Sequence, residues 1–526
     1  MTKHARGSHV TRREVLKLGA AAAASTALPA FSRSAAAAVQ RGITHPNVLF
    51  IMDDQHRGDC LGIDGHPCVK TPNMDRIGRE GAYFRHGYSC TPTCTPARAA
   101  LLTGLGPWRN GMLGFSAVPN SYSFVMPQAM RDNGYYTTGI GKMHWTPQRQ
   151  LYGFHKTILD ESKRAQSPEF RSDYRAWLAS VAPNADPDAT GISYNDHRAA
   201  VYALPEEYHP TQWMGMTATN FIDQYDQPEP FFLKVSFARP HSPYDPPQRF
   251  WDLYKDAEIP PAAVGKWAER YVPQSANYPD IWHGDMGEEL VRQARVGYYG
   301  NVSFVDEQIG RILEALEKRG MLEETLIIFT SDHGDMTGDH HMWRKSYAYE
   351  ASARIPMLMR WPEGLVAAKR GQVRDEPVEL RDIFPTCLDA AGGEGLERLE
   401  GKSMLPLVED KAPEWRKWID LEHDICYDAK NHWSAVTDGS SKYIFHAIDG
   451  EEQLFDLTTD PNETKDLAGD PVHGVTLKTW RDRLIGHLSE RGDAWVKYGQ
   501  LVLRPESIKL SPNYPEPIPV EAPVRS

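Results

Sequence analysis

Two acidic strand ends and one cysteine carry the chemistry that can be read from this 526-residue chain. The run Val48-Leu49-Phe50-Ile51-Met52 closes in Asp53-Asp54, and Ile327-Ile328-Phe329-Thr330-Ser331 closes in Asp332-His333. Carboxylates are hard oxygen donors suited to Ca²⁺ or Mg²⁺, and the nitrogen of His333 also admits Mn²⁺ or Zn²⁺. Such acids can instead do no more than cap a turn, but two acid-bearing strand ends favour a shared metal. Ser331-Asp332-His333 is not a catalytic triad, because neighbours on a strand point to opposite faces. Cys94-Thr95-Pro96-Ala97-Arg98 leads into Ala99-Ala100-Leu101-Leu102 and reads as a helix with Pro in its first turn. Cys94 then lies among free N–H groups that attract anions, and Arg98, one turn on, faces the same side. A thiolate nucleophile is open there; so is a buried pair or local disulfide with Cys90. Lys142, His144, His241 and Lys345 occur near strand ends or in loops. With Arg98 they are able to hold a tetrahedral oxyanion against a metal. Each taken alone is an ordinary Lys or a hydrogen-bonded His.

These residues need a scaffold that gathers strand ends. The apolar run over 46–54 reads as a buried parallel strand and that over 325–330 as another buried strand, with 137–142 and 231–237 as further short strand candidates. They alternate with helices, one starting at Thr71-Pro72 and one with helical spacing over 302–319. That pattern predicts an α/β fold: a large mixed, mostly parallel sheet flanked by helices, with ligands at the carboxyl ends of its strands. After about residue 400 the texture changes to short strands at 434–437, 442–445 and 453–457 and a helix near 474–491. A smaller C-terminal α+β domain with an antiparallel sheet is expected. The division is a catalytic part over 44–400, a C-terminal subdomain over 401–505 and a Pro-rich tail over 506–526.

Thr11-Arg12-Arg13 precedes an Ala-rich apolar run ending in Ser34-Ala35-Ala36-Ala37-Ala38. This reads as a twin-arginine export signal over 1–38, recognised by the twin-arginine machinery and removed near Ala38. No later run has the apolar length of a membrane span, so the mature protein is expected in the periplasm or outside the cell. There are 58 Lys and Arg against 70 Asp and Glu, a net charge of −12, and loss of the basic leader makes the chain more acidic still. Such a surface disfavours nucleic acid and anionic membranes. Six cysteines in this length are not a disulfide framework, and no Cys-x-x-Cys pair marks a structural zinc.

In order along the chain, these motifs resemble the type I sulfatases of the alkaline phosphatase superfamily. Cys94-Thr95-Pro96-Ala97-Arg98 with Leu101-Leu102-Thr103-Gly104 resembles the family's Cys-x-Pro-x-Arg signature. Pro46 to Asp54, Lys70 to Asp75, Gly141-Lys142-Met143-His144, Pro240-His241-Ser242-Pro243 and Ser331-Asp332-His333-Gly334 resemble its other elements. Gln453 to Leu457 with Asp460-Pro461-Asn462-Glu463 resembles its C-terminal domain. The match spans about 44–470. The resemblance implies an alkaline phosphatase-like fold and a sulfatase acting on a sulfated sugar, an aryl sulfate or choline sulfate. It also implies that a formylglycine-generating enzyme oxidises Cys94 to formylglycine, whose hydrate attacks sulfur. Asp53, Asp54, Asp332, His333 and the residue at position 94 would hold one divalent metal, Ca²⁺ first. Arg98 would orient the hydrate, and Lys142 and Lys345 would hold sulfate oxygens. His241 would protonate the leaving alkoxide, and His144 would take the remaining hydroxyl's proton.

Departures from the pattern keep alternatives open. Asp332-His333 stands where many members have Asp-Asn, and Asp339-His340-His341 adds polar groups near Lys345. Phosphonate monoester and phosphodiester hydrolases with the same nucleophile therefore remain, as does a binding protein with unconverted Cys94. Tyr347 and Tyr349 either line a cationic pocket or pack in the core.

Overall fold

The computed structural model describes residues 45–165, 167–275 and 281–516; the expected export signal lies outside them. Its central strand, β1 (Asn47–Asp54), is buried throughout after Asn47. Following it are α1 (Pro72–Arg79), β2 (Ala82–Phe84), α2 (Cys94–Thr103), β3 (Tyr136–Gly141), β4 (Lys156–Leu159), α3 (Pro210–Gln224), β5 (Phe231–Pro240), α4 (Glu288–Lys318), β6 (Thr325–Ser331), β7 (Met357–Arg360) and β8 (Gln372–Arg374). The strands form one eight-stranded sheet in the order β4-β3-β5-β1-β6-β7-β2-β8. β1 runs parallel to both β5 and β6, with Val48 opposite Phe232 and Leu326. β7 is antiparallel to its neighbours β6 and β2. The sheet is therefore mixed and mostly parallel, as expected.

Period-two alternation along β1 divides the core into two layers. Val48, Phe50 and Met52 pack on one face with Ala97, Ala99, Leu101 and Leu102 of α2. Leu49 and Ile51 pack on the other with Met74 and Ile77 of α1, Met214 of α3 and Val305 and Ile309 of α4. Each Val, Leu, Ile, Phe or Met among them, fully buried, contributes about 1.5–3 kcal/mol. This registration matters for the site: the face that carries α2 is the face toward which even-numbered β1 residues point. The helix expected over 302–319 begins much earlier, at Glu288. Its first half buries polar Arg295, Asn301 and Ser303 among the apolar residues, which hides the helical period.

The C-terminal sheet is antiparallel, in the order β9 (Ile419–His423), β10 (Trp433–Thr437), β11 (Ser441–His446), β12 (Glu452–Asp456), and is followed by α5 (Gly474–Leu488). Three of its strands fall where the sequence places them. β9 escapes that reading because its alternate residues are acidic: Asp420 pairs with Arg381 at 2.8 Å and Glu422 with Arg491 at 2.6 Å. Beyond α5, the described part of the expected tail is bound rather than free. Ile508 N donates to Asp424 at 2.8 Å, the Lys509 carbonyl accepts from Leu113 N at 3.0 Å and Gly114 N at 2.9 Å, and Ser511 N donates to Gly111 O at 2.8 Å. The segment thus ties the loop after α2 to the C-terminal sheet. All six cysteines are free thiols. Among the described residues no helix is long and apolar enough to cross a membrane.

Gly111 allows this docking. Its φ is +95°, and a Cβ there would lie 2.2 Å from Tyr514 Cα. Gly111→Ala should therefore destabilise the protein by about 1–3 kcal/mol, seen as a thermal midpoint lowered by a few degrees. An unchanged midpoint would show that the C-terminal segment is not held as described.

Candidate active site

Four side chains converge at the carboxyl end of the central strands. Asp54, Cys94, Asp332 and His333, all buried, offer ligand atoms within 4.8 Å of one another. Asp54 closes β1 on the face toward α2, Cys94 opens α2, and Asp332 and His333 follow β6 directly. His333 Nδ1 faces the Gly334 carbonyl at 2.9 Å and so carries the proton, leaving Nε2 as a lone-pair donor 3.1 Å from Cys94 Sγ. Asp54 Oδ1 is buried with no hydrogen-bond partner. An orphaned carboxylate oxygen, a second carboxylate and an oriented imidazole fit a divalent cation.

Asp53, expected as a further ligand, lies outside the group of four whose ligand atoms approach within 4.8 Å of one another. Its Oδ2 meets His56 Nδ1 at 2.6 Å, and its Oδ1, like that of Asp54, is buried with no hydrogen-bond partner. The reasoning that separates neighbours on a strand does not reach Asp332 and His333, because β6 ends at Ser331.

Arg98 binds the cluster together. Its Nε donates to Asp332 Oδ2 at 2.9 Å and its Nη2 to Asp54 Oδ2 at 2.9 Å. Nη1 reaches the Lys142 carbonyl at 2.7 Å and Ser236 Oγ at 3.2 Å. Lys142 Nζ donates to the same Asp54 oxygen. The backbone before Lys142 requires glycine: Gly141 has φ +94°, and a Cβ there would sit 2.1 Å from Ser236 O. Burial pushes the Asp54 carboxyl up, but the charges of Lys142 and Arg98 outweigh it and hold the group well below the usual carboxylate range.

Lys345 and His241 form a second pair. Lys345 Nζ lies 2.7 Å from His241 Nε2 and donates to Gln55 Oε1 at 2.9 Å. His241 Nδ1 faces the Ser242 carbonyl at 2.9 Å, so Nε2 accepts from the ammonium. Burial and the Lys345 charge hold His241 well below its ordinary pKa. His144 is similarly depressed, by burial and then by Arg164 and Lys142, and its Nδ1 is buried without a partner. Burial pushes the Cys94 thiol up, but Lys345, Lys142 and His333 outweigh it and hold the group at about 6.

The structure brings together Asp54, Cys94, Arg98, Lys142, His241, Asp332, His333 and Lys345 through these contacts. His144 follows two residues after Lys142, its N–H held by Glu161 at 3.1 Å. Cys90 is buried and its thiol is pushed well up, chiefly by burial. Asp339 pairs with Arg57 at 2.7 Å and Arg295 at 2.6 Å. Tyr347 and Tyr349 are core residues, Tyr349 stacked on Trp267 at 4.6 Å. Gln55, Glu161 and Ser236 were missed. Their partners are distant in sequence; the only local trace is Gln55's place directly after β1, with φ +72°.

Residues 46–393 match the sulfatase family, and residues 338–489 match the N-sulphoglucosamine sulphohydrolase C-terminal family. The chain is 36% identical to an arylsulfatase of Clostridium perfringens (strain 13 / Type A) over 470 residues, covering 87% of this chain and 97% of that protein. It is 32% identical to a choline-sulfatase of Rhizobium meliloti (strain 1021), covering 86% and 89%. The crystal structure of a phosphonate monoester hydrolase of Agrobacterium radiobacter superposes with a TM-score of 0.71 at 28% identity, covering 88% of this chain and all of that one.

Arg98→Ala would leave Asp54 and Asp332 buried without their shared counter-charge, at a cost of about 3–5 kcal/mol. Arg98→Lys restores charge but not the forked geometry. Thermal unfolding should rank wild type above Arg98→Lys above Arg98→Ala, with turnover lost in both variants. Wild-type turnover by Arg98→Lys would show that the fork is dispensable.

Proposed function

The chain belongs to the sulfatase family and is a sulfuric ester hydrolase, and we propose that it cleaves an organic sulfate ester, R–O–SO₃⁻, to the alcohol and sulfate, using formylglycine made from Cys94. The observation that carries this reading is the placement of Cys94 at the start of α2, 3.1 Å from His333 Nε2 and among Asp54 and Asp332. Converted by a formylglycine-generating enzyme, residue 94 supplies a hydrated aldehyde, with one oxygen for attack and a second hydroxyl through which sulfate is expelled. When bound, a divalent cation lowers the pKa of that nucleophile and offsets sulfate charge. Asp53, Asp54, Asp332, His333 and the oxygen at position 94 would hold it. The carboxylates favour Ca²⁺, and His333 admits Mn²⁺ or Zn²⁺.

The remaining work falls to fixed side chains. Arg98 locks both carboxylates in place before substrate arrives, so no reorganisation is needed during the reaction. Lys142 and Lys345 each keep donor hydrogens beyond their present bonds and direct them at sulfate oxygens. The Lys345–His241 pair delivers a proton to the leaving oxygen; Lys345 carries the shared hydrogen, so His241 need not be charged beforehand. His144, kept neutral, accepts a proton from the residual hydroxyl.

We assign residues 44–400 to catalysis, 401–505 to a C-terminal subdomain, and export to the twin-arginine leader over 1–38. Hydrolysis of a phosphonate monoester is the second reading, favoured by the likeness to the Agrobacterium radiobacter enzyme.

Side-by-side assays of an aryl sulfate and an aryl phosphonate monoester should give the higher kcat/KM for the sulfate. The opposite order would replace the sulfatase reading with the second one. Cys94→Ala should lower kcat by at least about 10³-fold. Mass spectrometry of the peptide containing residue 94 should show an aldehyde in place of the thiol in active enzyme. Full activity with only unmodified Cys94 would refute the formylglycine mechanism.

A further inference from the structure

Arg164 stands beside the catalytic group without a role in it. Its guanidinium carbon lies 4.6 Å above the ring of half-buried Tyr194. Its Nη1 is inaccessible to solvent and has no hydrogen-bond partner. A buried guanidinium nitrogen without an acceptor costs about 1–3 kcal/mol or more. That cost is unexplained by the protein's own contacts. Glu161, the acid nearest along the chain, is spent on Met143 N at 2.9 Å and His144 N at 3.1 Å.

The loop geometry fixes where the guanidinium sits. Arg164 N donates to the Glu161 carbonyl at 3.1 Å, and Gln148 Nε2 donates to the Arg164 carbonyl at 2.6 Å. Arg164 is thereby anchored to the residue that clamps the His144 turn. Its aromatic platform, Tyr194, follows Ser193, whose carbonyl accepts from Ser242 Oγ at 3.1 Å, one residue from His241. One member of the Arg164–Tyr194 pair is thus tied to the segment that holds His144, and the other to the loop that carries His241. Its positive charge depresses the pKa of Lys142, of His144 and, more weakly, of His241. Phe115, 40% exposed, has its ring 5.9 Å from that of His144.

We infer that Arg164, held over Tyr194, docks an oxyanion carried by the leaving group, so that the preferred substrates are sulfate esters of acidic alcohols. This rests on the sulfatase reading and narrows it. The scissile sulfate is already served by Lys142 and Lys345, leaving Arg164 for a second anion such as a carboxylate or another sulfate. A bidentate guanidinium–oxyanion contact supplies the missing acceptor for Nη1. A cationic alcohol, choline among them, would be repelled from the same place.

The test compares ortho, meta and para carboxyphenyl sulfates with their neutral methyl esters and with the corresponding disulfates. Kinetics use the converted enzyme. Equilibrium binding uses full-length Cys94→Ala, in which turnover does not interfere. At least one carboxylate or disulfate isomer should bind about tenfold or more tightly than its neutral counterpart. Arg164→Gln should reduce that preference to within about twofold, mainly through KM, while Arg164→Lys retains part of it. Thermal unfolding reports on whether the variants fold. No preference in any isomer, a preference that survives Arg164→Gln in folded protein, or an equal loss on charged and neutral esters overturns the proposal. If the neutral esters are hydrolysed, the sulfatase reading survives that result. If no ester of either kind is bound or hydrolysed, both readings fall.

Discussion

The Arg98 guanidinium donates at once to Asp332, Asp54, Ser236 and the Lys142 carbonyl, and only 1% of its surface reaches solvent. These four partners come from β1, β5, the turn after β3 and the end of β6. One side chain on α2 therefore sets the relative positions of four strand ends. Burying the carboxylates of Asp54 and Asp332 together would be prohibitive without a cation between them, because desolvation and like-charge repulsion both oppose it. The remaining polar architecture follows from that contact. Asp54 keeps one oxygen for Arg98 and Lys142 and leaves the other free, while Asp332 also accepts from Gln55 N at 3.2 Å.

Charge is distributed with a purpose that packing alone does not require. Arg98, Lys142 and Lys345 concentrate positive charge around Asp54 and Asp332 inside a chain whose net charge is −12. The acidic exterior discourages polyanions from the surface at large, so any anion must be held by these fixed cations. His241 and His144 sit in that field as neutral imidazoles, which frees them to take up protons when charge moves.

Much of this was legible because local sequence compresses it. Cys94 and Arg98 share one helical turn, and Asp332-His333 directly follows a continuous apolar strand. The parallel sheet was equally readable in the alternation of such strands with helices. β9 and the first half of α4 were hidden by charged residues whose partners are far along the chain. Gln55 and Ser236 are set by contacts of that kind too: Gln55 Oε1 meets Lys345 across 290 residues, and no local pattern announces it.

The same separation has a consequence in time. Cys94 is only 1% exposed in the finished fold, yet its cover includes His333 and the Lys345 segment, made long after it. At ribosomal rates of roughly 5–20 residues per second, tens of seconds pass between synthesis of Cys94 and synthesis of those residues. Throughout that interval the thiol cannot be enclosed by groups that do not yet exist. An enzyme acting on this thiol would have a window set by chain order rather than by local unfolding, and completion of the segment after β6 would shut it.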